Sequence, residues 1–81
     1  MAEDRYYIEM YNLINTELKN EMLENILDDE TIKYFANQSL FISDIYRIID
    51  IIKNYVATTN NKKISIYEFK DILNKYVKNN N

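Results

Sequence analysis

No glycine, proline, cysteine or histidine occurs in this chain of 81 residues, and each absence removes a class of structure or chemistry. Average usage would supply roughly ten Gly and Pro together at this length. Without Gly, turns that need a positive φ fall to asparagine, the next most tolerant residue in the left-handed region. Twelve Asn are available, and Asn60-Asn61 and Asn79-Asn80-Asn81 stand where breaks are expected. Lack of Gly also rules out a glycine-rich phosphate loop. Lack of His excludes Ser–His dyads and imidazole metal sites, and lack of Cys excludes disulfides, thiolate nucleophiles and zinc–thiolate sites.

Long hydrophobic runs are missing as well. The longest purely apolar stretches are two to three residues, far short of a bilayer span, and "MAEDRYYIEM" has no basic region followed by an apolar one. The expectation is a cytoplasmic protein, neither exported by a visible signal nor inserted in a membrane. One domain, residues 1–81, fits this length, with 79–81 as a frayed tail.

What is present is skewed. Ile, Asn, Lys and Tyr make up 41 of the 81 residues, a bias that resembles the codon usage of an AT-rich genome, as in some phages, low-GC bacteria or protists. Charge is unevenly distributed too: residues 1–32 carry a net −7 and residues 33–81 a net +4. The two halves attract, which helps the N-terminal helix dock on its own fold or leaves an acidic face for a basic partner.

The periodicity predicts an all-α bundle of three to four helices, at about 4–27, 29–37, 43–57 and 65–78. In the first, Tyr7, Tyr11, Ile14, Leu18, Met22 and Ile26 recur at three- and four-residue spacing, widened by Met10, Leu23 and Leu27, with Asp4 as N-cap. The second is capped by Asp28 or Asp29 and turns Ile32, Phe35 and Tyr34 inward, unless it continues the first through a kink. The third starts at Ser43, and Ile45, Ile48, Ile49, Ile52 and Val56, extended by Ile51 and Tyr55, predict the central and most buried helix. Asp44 with Arg47 and Asp50 with Lys53 are expected as solvated pairs on it. In the fourth, Ser65 and Glu68 form a capping box, Ile64 and Phe69 a hydrophobic staple, and Phe69, Ile72, Leu73 and Tyr76 the buried face.

The stretch "NNKKISIYEFKDIL" resembles the EF-hand family over residues 49–76. Glu68 falls at the last loop position and Ile64 at the central hydrophobic one, while Phe69, Ile72, Leu73 and Tyr76 follow the pattern of the exiting helix. On the entering helix Ile49, Ile52 and Val56 match and Lys53 does not. The calcium ligands are missing: Ala57, Thr59 and Asn61 stand at loop positions 1, 3 and 5, and Lys62 where the family has Gly. The resemblance therefore implies a calcium-less hand that grips a partner's amphipathic helix. A capped inter-helix turn accounts for Ile64, Ser65, Glu68 and Phe69 equally well and is the preferred account.

Catalysis is hard to assemble from these residues, and no enzyme and no cofactor are expected. Ser39, Ser43 and Ser65 read as caps or turn residues, and Asp28-Asp29-Glu30 as helix-start acids interacting with the dipole. Lys62, Lys63, Lys70, Lys75 and Lys78 make the C-terminal part basic, but two Arg and a net negative charge argue against direct nucleic-acid binding.

Protein recognition remains. Glu17, Glu21, Glu24 and Asp28 fall at spacings of four, three and four, one like-charged edge of the first helix that a basic partner would relieve. Tyr6, Tyr34, Tyr46 and Tyr67 lie off or at the margin of the apolar stripes and form the second candidate surface. The expectation is a small acidic inhibitor that occludes a basic, often nucleic-acid-binding, surface; in size and acidity the chain is similar to phage-encoded anti-defence proteins, including anti-CRISPRs. The alternatives are a self-assembling particle component, in which copies pack on one another, and the calcium-less EF-hand-like adaptor.

Overall fold

A computed structural model describes residues 2–79, with side chains from Arg5 to Asn79. Four helices, α1 (Ala2–Asn20), α2 (Asp29–Ala36), α3 (Ile42–Thr59) and α4 (Ile66–Asn79), form an all-α bundle, and no strand occurs among the described residues. Each helix packs on two others, in the cyclic order α1, α2, α4, α3. Asn80 and Asn81 of the expected tail lie outside the described residues, as does the side chain of Asp4. The expectation that Asp4 caps the first helix is corrected, because α1 is already helical at Ala2.

The expected first helix ends seven residues early. Met22 takes φ 60° and Asn25 φ 87°. The Leu23 N–H reaches back to the Leu18 carbonyl at 2.7 Å and the Met22 N–H to Lys19 at 3.1 Å. These two bonds make a Schellman stop, with buried Leu18 and Leu23 supplying its hydrophobic contact. Glycine ordinarily holds the left-handed position of that motif; here Met22 does, with its side chain 91 % exposed. The apolar spacing continued to Ile26 because Leu23 and Leu27 re-enter the core from a loop.

α2 is therefore a separate helix. Asp28 caps it, accepting from the Thr31 N–H at 2.8 Å and the Thr31 hydroxyl at 2.7 Å, which lets Thr31 be buried with its polar atoms satisfied. Lys33 pairs with Asp29 at 3.1 Å one turn on. The helix ends at Ala36, a residue before expectation, and Ser39 makes the following turn at φ 55°.

α3 starts ahead of Ser43. Phe41 is the N-cap, and the Asp44 carboxylate accepts from the Phe41 N–H at 3.1 Å, which places Ser43 inside the first turn. Its far end is as composition implies: Asn60 sits in the left-handed region at φ 57°, ψ 23°, and its N–H bonds the Val56 carbonyl at 2.9 Å. The expectation that α3 is the most buried helix is corrected. It buries Ile45, Ile48, Ile49 and Ile52 but exposes Ile42, Tyr46 and Ile51, since a helix of 18 residues with only α1 and α4 against it leaves much of its surface uncovered. The short α2, with Thr31, Ile32, Phe35 and Ala36 buried, is the most enclosed.

α4 follows the expected pattern. The Ser65 hydroxyl accepts from the Glu68 N–H at 3.1 Å, and the Ser65 N–H donates to the Glu68 carboxylate at 3.0 Å. Ile64 and Phe69, spaced for the staple, are both buried, as are Ile72, Leu73 and Tyr76. Phe69 meets Phe35 at 4.8 Å between ring centroids and Tyr34 edge-on at 6.1 Å, so α2 and α4 share an aromatic centre.

The two loops are joined: the Ile64 N–H donates to the Ile26 carbonyl at 2.9 Å. The chain is thus two helix–loop–helix units, α1–α2 and α3–α4, tied loop to loop. No described helix is long and apolar enough to cross a membrane.

Candidate protein-binding surface

The abundance of tyrosine has a use in the bundle. Four of the eight phenols bridge separate segments: Tyr6 donates to the Leu40 carbonyl, Tyr11 to Asp29, Tyr55 to Glu68 at 2.7 Å, and Tyr76 to Asp44. For Asp29 and Glu68 the added donor favours the charged form. Glu68 is held below its ordinary value, first by the Ser65 N–H and then by the Tyr55 hydroxyl. Tyr11 holds Asp29 low, with Lys33 adding to the effect. The phenols of Tyr11, Tyr55 and Tyr76 move up in turn, chiefly because their protons are shared with these carboxylates.

These bonds decide what the second loop can hold. Both oxygens of Glu68 are engaged by Ser65 and Tyr55. Ala57 supplies no ligand, and Lys62 and Lys63 add positive charge. The residues of this loop do not fit a calcium ion.

The expected acidic edge is dismantled by the end of α1 at Asn20. Glu17 stays on the helix, half-buried and 3.5 Å from the Asn20 amide nitrogen. Glu21 lies beyond the helix end and pairs with Lys53 of α3 at 2.9 Å. Glu24 is exposed in the loop, and Asp28 is consumed as the α2 cap and sits below its ordinary value because of Thr31. The four carboxylates therefore do not share one helix edge. The solvated pairs expected on α3 are also replaced: Asp44 turns to Phe41 and Tyr76, and Lys53 to Glu21. Attraction between the acidic and basic halves is realised over a long range in that Glu21–Lys53 pair.

The four candidate tyrosines divide. Tyr34 is half-buried against Phe69, with the Lys70 ammonium 5.0 Å from its ring centre. Tyr67 is exposed in the first turn of α4, beside the joined loops. Tyr6 and Tyr46 lie elsewhere, at the α2–α3 junction. The Tyr6 hydroxyl reaches Leu40, while Ile42 and Tyr46 sit one turn apart on the same side of α3.

That junction also exposes residues the periodicity did not single out. Phe41 is 77 % exposed and Ile42 52 %, beside Tyr46 at 46 % and Tyr6 at 41 %. A sequence signal existed: Leu40-Phe41-Ile42 is an apolar triplet in a connection, where polar turn residues are usual.

α1 and α3 run side by side in the same direction. The Tyr6–Leu40 bond ties them at one end and Glu21–Lys53 at the other. At about 1.5 Å per residue, the helical parts between these ties, residues 6–20 and 42–53, are about 21 and about 17 Å long. Helical spacing puts Leu13 on the Tyr6 face of α1, and Ile42 and Tyr46 on the Lys53 face of α3, the faces that carry these ties. No family model, no curated protein and no solved structure matches this chain.

Proposed function

We propose that the chain is a non-enzymatic protein-binding module whose contact surface is the aromatic and aliphatic patch at the head of the α1–α3 seam. The observation that carries this reading is the exposure of Tyr6, Phe41, Ile42 and Tyr46 around one junction. Large side chains held on rigid helix ends, one turn apart, make efficient anchors, since little conformational freedom remains to be lost on binding. A regulator or inhibitor of a larger protein remains the role this suits. Its basis moves from the row Glu17, Glu21, Glu24 and Asp28 to the patch, because two of those carboxylates are engaged within the fold.

The paired loops support the adaptor form of the reading. Two helix–loop–helix units joined by the Ile64–Ile26 bond, with Glu68 occupied by protein donors, have the layout of a calcium-less hand pair.

The test is affinity capture from lysate of the source or host, using the tagged chain and a Phe41→Ser/Tyr46→Ser variant, with Tyr67→Ser as control. A protein retained by the wild type and the control but lost with the patch variant is the expected result. Capture insensitive to the patch, or recovery of only the chain itself, would sink the reading, the second outcome favouring self-assembly.

A further inference from the structure

We infer that the outer seam between α1 and α3 receives a basic amphipathic helix of a partner protein. This deepens the protein-binding reading and rests on it. Three features select that occupant.

The first is shape. Two helices that pack together and are tied at both ends leave a seam between them about 17–21 Å long, three to four helical turns. A third helix can lay its ridge of side chains into such a furrow. An extended peptide finds no sheet edge to pair with among the described residues.

The second is the lining. Tyr6 and Leu13 on α1, and Ile42 and Tyr46 on α3, follow three- and four-residue rows along the furrow, with Phe41 at its head. An incoming helix with apolar residues at helical spacing would bury Tyr6, Phe41, Ile42 and Tyr46, which are exposed, and the outer part of Leu13, which is partly buried against the core.

The third is charge. Glu9 and Glu17 continue the α1 row and Asp50 the α3 row; Glu9 and Asp50 are exposed and Glu17 is half-buried. Lys53 at the far end pairs with Glu21 and also feels Asp50, so the carboxylates Glu9, Glu17, Glu21 and Asp50 still outnumber the cations Lys53 and Arg5. Arg47 turns to the α4 side, where it meets the Tyr76 hydroxyl. Arg5 stands one turn ahead of Glu9. The furrow is therefore apolar along its floor and net negative along its rim, which is complementary to a helix with an apolar stripe flanked by Lys or Arg.

The test uses the isotope-labelled full chain and two synthetic helical peptides of about 18 residues, long enough to span the furrow. Both carry Leu at helical spacing; one has Lys at the remaining positions, the other Glu. The expected result is binding of the Leu/Lys peptide, with amide shifts concentrated at Glu9, Leu13, Glu17, Ile42, Tyr46 and Asp50. Affinity should fall about tenfold or more in Ile42→Ser/Tyr46→Ser. It should also fall in Glu9→Lys/Asp50→Lys and as salt is raised from about 0.1 to about 0.5 M. These positions are exposed, so retained helical circular dichroism separates lost binding from lost folding.

Equal binding of the Leu/Glu peptide, no binding of either, or shifts confined to α2 and α4 would overturn the inference. Shifts at the same residues on concentrating the chain alone would assign the furrow to a second copy and overturn it too. None of these results depends on the capture experiment. A patch-sensitive partner that lacks a basic helix would refute the inference and leave the protein-binding reading standing.

Discussion

The two loops of this protein solve the same problem by different means. Each must end one helix, begin the next and present a backbone group to the other, Ile26 through its carbonyl and Ile64 through its N–H. In the second loop, residues suited to the work stand at each step: Asn60 in the left-handed region, Ser65 and Glu68 as a reciprocal cap, and Ile64 with Phe69 beneath them. In the first, Met22 occupies the left-handed position and two apolar residues, Leu23 and Leu27, pull an irregular segment onto the core. Local chemistry terminates α3, whereas tertiary burial terminates α1.

The largest expected effect tests which loop the core leans on. Ile64 is buried while Ile26 is half-buried. Ile64→Ala should cost about 2–5 kcal/mol by urea denaturation, with Ile26→Ala clearly less. Equal losses would mean that the two loops are energetically alike and that the contrast is only one of sequence.

Next in size is the backbone strain. Met22→Gly removes a Cβ from a left-handed residue and should stabilise by about 1 kcal/mol. Asn60→Gly should gain only a few tenths, because Asn already tolerates that conformation. If Asn60→Gly gained as much as Met22→Gly, Asn would not be the effective substitute for Gly that the composition suggests.

The smallest difference lies in pH dependence. Asp28, Asp29 and Glu68 titrate below their ordinary values of 3.8 and 4.5 in the folded chain. Each therefore contributes stability that is present above those values and lost as pH falls through the lower folded ones. Thermal melts should decline as pH drops below about 4.5. Glu68→Gln should flatten that decline at the second loop, and Asp28→Asn at the first. Tyr11, Tyr55 and Tyr76 give a second limb of opposite sense. Their phenols lie above the ordinary 10.0, so their contribution is complete below it and lost as pH rises through the raised values. If Tyr55→Phe left both limbs unchanged, the Tyr55–Glu68 bond would carry none of this coupling.

Much of α4 was legible because its signals are local. A cap, a staple and one apolar stripe lie within a few residues of each other, and Phe69, Ile72, Leu73 and Tyr76 are buried as spaced. The end of α1 was not legible. A three- and four-residue apolar rhythm runs on to Ile26 whether Leu23 and Leu27 are helical or reach the core from a loop, and no Gly marks the left-handed residue. The candidate surface was half legible: Tyr6 and Tyr46 fall off the apolar stripes, but Phe41 and Ile42 lie in an expected connection, where helical period carries no signal. The acidic row failed with the helix that would have aligned it.

Composition and spacing by themselves determined that the chain is all-helical, that Asn would serve where Gly is missing at Asn60, and which residues of α4 face inward. Those properties depend on neighbours within about one turn. Only the tertiary structure decided that α1 stops at Asn20, that half the tyrosines are spent as cross-links, and that Phe41, Ile42, Tyr46 and Tyr6 are exposed around the α2–α3 junction. Each of those depends on groups far apart in the chain, such as Tyr6 with Leu40 or Glu21 with Lys53, and helical period carries no information about which distant residue a side chain will meet.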